Sequence, residues 1–251
     1  MSAANKITEW LNKQVAEARA QGLVFGLSGG IDSVCVSRLS QLATPNSCLG
    51  VIMPCHSNPQ DEKDALLVAS HFQIQTIRVP LEKAYDTLKG TIEESLLDIK
   101  QLQHSATDDT QAKVSSANIK PRLRMSTLYL MANRLNYLVA GTGNRSEIAI
   151  GYYTKHGDGG VDLLPIGQLV KREVRGLARE LDVPSQIIEK APSAGLWLGQ
   201  TDEKEMGFTY EELEQFLNGE VKKISPEKVD RIKHLVAISA HKRSLPPMPP
   251  S

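Results

Sequence analysis

Cysteine is scarce in this 251-residue sequence: there are three, Cys35, Cys48 and Cys55, and none forms a Cys-x-x-Cys pair. An odd, unpaired set excludes a disulfide scaffold and predicts buried thiols in a reducing compartment. Net charge is missing too, since 29 basic side chains balance 29 acidic ones. The broad basic footprint of a nucleic-acid binder is therefore absent, and any anionic partner must be held locally. No apolar run reaches membrane length, and the first helical segment carries Glu9, Lys13, Glu17 and Arg19. A signal-peptide core and a membrane span are excluded on this reading, and the expected location is cytoplasmic. Asn144-Arg145-Ser146 spells a glycosylation sequon, which without export reads as part of a loop. There is no internal repeat and no low-complexity tract beyond the tail from Pro246 to Pro250, expected to be a strap or a disordered end.

With 41% hydrophobic residues, the chain can bury one α/β core, and residues 1–251 are expected to form a single domain. Ile7, Trp10, Leu11, Val15 and Ala18 recur at helical spacing up to Gly22, predicting a helix over 7–21. Strands are predicted at 23–27, 48–53, 74–79 and 137–140. Helices are predicted at 31–43, from Pro59, over 81–103, 118–136 and 169–181, after the capping box at Thr209-Tyr210-Glu211-Glu212, and from Ser225-Pro226. The polar stretch 104–117 is expected to be a mobile loop. Strands alternating with helices imply a doubly wound parallel sheet with helices on both faces, with ligands beyond the carboxyl ends of the strands.

Gly26-Leu27-Ser28-Gly29-Gly30-Ile31-Asp32-Ser33 falls where the first strand gives way to a helix. Gly29 and Gly30 allow close backbone approach, and the helix N-terminus presents free N–H groups, a combination suited to phosphate. Ser28 and Ser33 add hydroxyl donors. A Walker A loop would place a lysine here, and there is none. Asp32 stands at the helix start instead, and a carboxylate beside a polyphosphate implies a magnesium ion between them.

The octet resembles the Ser-Gly-Gly-x-Asp-Ser loop of the PP-loop ATP pyrophosphatases, which cleave ATP between its α and β phosphates. That resemblance leaves several acceptors open, since GMP synthetases, argininosuccinate and asparagine synthetases, tRNA thiolation enzymes and NAD synthetases share it. Residues 118–125, 141–147 and 151–165, with Ala191-Pro192-Ser193, Gly199-Gln200-Thr201-Asp202-Glu203 and His241-Lys242-Arg243, are similar in order and spacing to the NAD synthetases, and to their compact, ammonia-dependent form. The resemblance implies the adenine nucleotide alpha hydrolase-like fold and a homodimer. It also implies two half-reactions, adenylation of the nicotinate carboxylate of nicotinic acid adenine dinucleotide and displacement of AMP by ammonia. Carried over residue by residue, it gives Thr142, Lys171 and Ser193 to ATP, and Asp32 and Glu147 to magnesium. Arg122, Lys155, Asp162, His241 and Lys242 fall to the dinucleotide, with Asp162 also orienting ammonia. Gly143 and Pro121 depart from the family pattern, and the proline suggests a helix start near Ile119.

No side-chain nucleophile is required; Asp32, Ser33, Lys171 and Asp162 would act by positioning and charge. The segments 104–117 and 193–206 are candidate lids, because a mixed anhydride must be kept from water. Two rivals remain at this point. A PP-loop enzyme acting on transfer RNA is disfavoured by the neutral charge and the lack of paired cysteines. A nucleotide-binding sensor would need the loop but not Glu147, Lys155, Asp162 and Lys171 together.

Overall fold

In the computed structural model, residues 1–97, 109–193, 195 and 200–249 are described. Gly22–Gly26 forms strand β1, whose Leu23, Val24 and Phe25 are fully buried. Their side chains alternate: Leu23 and Phe25 join one core and Val24 the other, as the two-residue period of a strand requires. Ahead of β1 lies helix α1, Ala3–Glu17. After it come α2 (Ile31–Ala43), β2 (Cys48–Ile52), α3 (Pro59–Phe72), β3 (Thr76–Arg78) and α4 (Glu82–Leu97). The second half runs α5 (Asp109–Ala117), α6 (Ile119–Leu135), β4 (Tyr137–Val139), α7 (Arg145–Ile150), α8 (Lys171–Glu180) and α9 (Ser185–Ile188). It ends with α10 (Asp202–Met206), α11 (Tyr210–Leu217) and α12 (Pro226–Ile238).

The four strands pair in parallel in the order β3-β2-β1-β4. Ala140 extends β4 by one parallel bridge to Leu163. On one face Leu23 and Phe25 pack with Leu11, Val34, Leu39, Val174 and Leu177, drawn from α1, α2 and α8. On the other, Val24 and Val51 pack with Leu81, Tyr85, Leu128 and Ala132 under α4 and α6. This is the doubly wound α/β arrangement. A third cluster, Ile150, Met206, Phe208, Tyr210, Leu213 and Ile232, ties α7 to α10, α11 and α12 beside the sheet. The three cysteines are buried and unpaired, and no helix of the described residues is long and apolar enough to cross a membrane.

Two expectations need correction. Residues 109–117 of the presumed loop are helical and pack on α6; a polar sequence can hold a helix when a neighbouring element fixes one side of it. The rest of that loop, 104–108, and the end of the predicted helix, 98–103, lie outside the described residues, as do 194 and 196–199 of the second candidate lid and Pro250 of the tail. The remainder of that second segment includes α10. The sequon is no loop either: Asn144 is fully buried and caps α7. The helix with Pro121 does begin at Ile119, where a proline in the first turn removes no needed hydrogen bond.

Candidate active site

The loop between β1 and α2 is held by its own serines. Ser33 Oγ donates to the Gly30 carbonyl at 2.8 Å and accepts from the Ser28 amide at 3.2 Å. Gly29 takes φ +77°, and a Cβ there would stand 2.7 Å from both the Asp61 carbonyl oxygen and Asp64 Cβ on α3. Only glycine meets both demands. The amides at the start of α2 consequently face a cleft of about 610 Å³ at the carboxyl ends of the strands.

Two further helices point their first turns at this cleft. In α7 the Asn144 side chain accepts from the Glu147 amide at 3.0 Å, while Glu147 Oε2 accepts from the Asn144 amide at 3.2 Å, a reciprocal capping box. That box fixes Glu147 toward the centre. In α8 Glu173 accepts from the Val170 amide at 2.9 Å, and Lys171, the first helical residue, is 2% exposed. Lys171 Nζ lies 2.5 Å from Asp32 Oδ2 and 3.3 Å from Glu147 Oε1. Asn144 Nδ2 donates to the other Asp32 oxygen at 3.0 Å. Burial pushes the Lys171 ammonium down, but Asp32 and Glu147 outweigh it and leave the pKa above its ordinary value. Burial raises the Glu147 carboxyl to about 8, against the opposing pull of Lys171.

Asp32 and Glu147 thus already converge on one cation. Their hard oxygen donors fit magnesium, which would sit beside the phosphates of a nucleotide cradled by the loop. Among the described residues no three His, Cys, Asp or Glu side chains are placed to hold a metal by themselves, consistent with an ion that completes its shell on phosphate.

The cleft also gathers Thr142, Ser193 and Lys242. Lys242 Nζ donates to the Gly151 and Tyr153 carbonyls at 2.7 and 2.6 Å. Arg122, Lys155, Asp162 and His241 are not among the residues that line it. Arg122 is exposed on α6. Asp162 accepts from Tyr129 and from the Val139 amide at 2.9 and 2.8 Å, and Lys155 Nζ donates to the His241 carbonyl at 2.7 Å.

Several lining residues escape sequence reasoning. Arg124, two residues after Arg122 and so on the opposite face of α6, donates to the Met53 carbonyl and Ser57 and lines the cleft. Lys190 bridges Asp61 and Asp64 at 2.8 and 2.5 Å. Asn144 would have been found by asking what caps the helix carrying Glu147. Asp202 and Glu205 arrive from α10, with no local signal that they face the phosphate loop.

The sequence model of the NAD synthase family matches residues 3–246. The chain belongs to the NAD synthase family. It is 51% identical to an NH3-dependent NAD+ synthetase of Carboxydothermus hydrogenoformans over 97% of this chain and 95% of that protein. An NH3-dependent NAD+ synthetase of Alkaliphilus metalliredigens is 45% identical over 97% of this chain and 96% of its own. Among solved structures, an NMN synthetase from Francisella tularensis superposes with a TM-score of 0.88 at 38% identity, covering 98% of this chain and 97% of that one. An NH3-dependent NAD synthetase from Campylobacter jejuni superposes with a TM-score of 0.78 at 27% identity, over 99% and 97%. The NAD synthase fold is therefore shared along nearly the whole chain.

Proposed function

We propose that the chain is an ammonia-dependent NAD synthetase, a ligase that couples cleavage of ATP to formation of a carboxamide. The observation that carries this reading is the meeting of Asp32, Glu147 and Lys171 beneath the glycine loop at the strand ends. The loop amides, Ser28 and Ser33 hold the triphosphate, and Thr142 and Ser193 add hydroxyl contacts. Lys171 turns from its carboxylates to the phosphates and stabilises charge as pyrophosphate leaves. Asp32 and Glu147 would hold magnesium, which would neutralise charge on the polyphosphate. The nicotinate carboxylate attacks the α phosphorus, pyrophosphate departs, and ammonia then attacks the acyl carbon and expels AMP. Residues 1–251 act as one domain in this scheme.

Lys242 reaches the dinucleotide from within the cleft. Arg122, Lys155, Asp162 and His241 would meet it outside, where a second copy in a homodimer could complete the site; a mass near twice 27.5 kDa in sedimentation equilibrium is the expected result. The test of activity is incubation with nicotinic acid adenine dinucleotide, magnesium ATP and ammonium. NAD, AMP and pyrophosphate should form in equal amounts, and glutamine should not replace ammonium. ADP and orthophosphate as primary products would refute the mechanism.

The resemblance to the Francisella NMN synthetase favours a second reading, in which the carboxylate belongs to nicotinic acid mononucleotide. Both carry the same reacting group. Competing the two nicotinates in one reaction decides between them through the ratio of kcat/KM values.

A further inference from the structure

Asp202 is a carboxylate with an unused oxygen. It is 3% exposed and lines the cleft, and its Oδ2 accepts from Tyr210 at 2.7 Å, but its buried Oδ1 has no hydrogen-bond partner. A buried acceptor left without a partner is costly, so this oxygen, with the Tyr152 phenol beside it, calls for a further donor such as a water or a cationic ligand. Three residues on, Glu205 also lines the cleft and accepts from Tyr152 at 2.8 Å and Gln200 at 2.7 Å. The Tyr152 phenol adjoins both carboxylates, and burial followed by these two neighbours pushes its pKa up. Asp162, the residue expected to orient ammonia, offers no such opening: both of its oxygens are engaged and it lies off the cleft.

We propose that Asp202, Glu205 and Tyr152 form the subsite that binds the ammonium ion before the amidation step. The inference rests on the amide-ligase reading above and names where its smallest substrate sits. Ammonium is a compact cation with four N–H donors and no acceptor, so it matches a pocket of two carboxylates and a phenolic oxygen. The site is next to the centre of reaction, since the Tyr210 that donates to Asp202 at 2.7 Å also carries Lys171 Nζ 5.1 Å from its ring centroid. α10 holds Asp202 in place through the Asp202 amide, which donates to the Pro192 carbonyl at 3.2 Å, and through the Tyr210 hydroxyl at the start of α11.

The test separates the two half-reactions in D202N and E205Q. Pyrophosphate release from ATP and the nicotinate substrate, measured without ammonium, should be close to that of the parent in E205Q, whose side chain is joined to Tyr152 and Gln200 rather than to the Lys171 cluster. The KM for ammonium should rise about tenfold or more, the loss expected for one charge-assisted hydrogen bond, while the KM values for ATP and the nicotinate stay within about twofold, a barrier change of under half a kcal/mol. Hydroxylamine, uncharged near neutral pH, should be used by the variants as well as by the parent. An unchanged ammonium KM, or equal rises for all three substrates, would overturn the proposal, the latter pointing to a purely structural Asp202-Tyr210 contact. If D202N does not fold, E205Q carries the same test, because Glu205 is joined to Tyr152 and Gln200 rather than to the core. A parent that releases no pyrophosphate with either nicotinate would overturn the ligase reading, and this one with it.

Discussion

Asp32 illustrates how a tertiary partner changes the expected cost of a substitution. On sequence alone Asp32→Asn would alter stability little, since asparagine is as good as aspartate near a helix start. The structure adds Lys171, whose buried ammonium would keep only Glu147 at 3.3 Å. Removing one partner of a buried pair leaves charge uncompensated, so D32N should lose roughly 1–3 kcal/mol of stability, below the full penalty because Glu147 Oε1 still accepts from the ammonium. Turnover measured well below the melting temperature should fall by orders of magnitude, about 3 kcal/mol or more in barrier. Turnover within about threefold of the parent would rule Asp32 out as the metal ligand. Glu147 makes a separate prediction through pH. Its carboxyl is raised on folding from 4.5 to about 8, burial being the main cause. The native chain then holds a proton that the unfolded chain has lost, so this contribution is complete below about pH 4.5 and fades as pH rises through 8. The metal-free protein should lose stability across that window, and E147Q should flatten the slope; parallel melting curves for the two proteins would contradict it.

Elements, more than single residues, decided what was legible beforehand. The strand-loop-helix at 22–43 announces itself because the apolar run of β1, the glycines and the α2 period are all local signals. The capping box at Thr209 likewise appears as read, with Thr209 accepting from the Glu212 amide at 3.1 Å. α5 was missed because its stability comes from α6 rather than from its own apolar face. The cleft's second acidic wall was missed because Asp202 and Glu205 reach it only through the packing of α10 and α11 against α7. The phosphate loop offers the sharpest test at this scale. Gly29→Ala forces a side chain into φ +77° and into the α3 backbone, and should cost about 1–3 kcal/mol. Turnover should fall as well, since α3 and the loop can no longer seat together. A variant melting with the parent would show that the loop relaxes freely away from α3.

Across the whole molecule positive and negative charges balance at 29 each, and the cleft floor repeats that economy on a smaller scale. Lys171 stands between Asp32 and Glu147 as an internal counter-ion, so an entering triphosphate meets an acidic pair already compensated. A divalent ion arriving by itself would have to evict that ammonium and strand it in a buried place. One arriving with ATP supplies the lysine with phosphate oxygens to move to. Loading is therefore a swap of cations, and metal and nucleotide should enter together. Calorimetric titration with Mn²⁺ should give weak heat in the absence of nucleotide and far tighter binding with a non-hydrolysable ATP analogue. K171M should tighten the nucleotide-free binding by about tenfold or more, as removal of a competing charge within a few ångströms requires. Equal Mn²⁺ affinity in parent and K171M would mean that the lysine guards nothing. The same side chain that waits on the acids thereby ties the entry of the metal to the entry of the nucleotide.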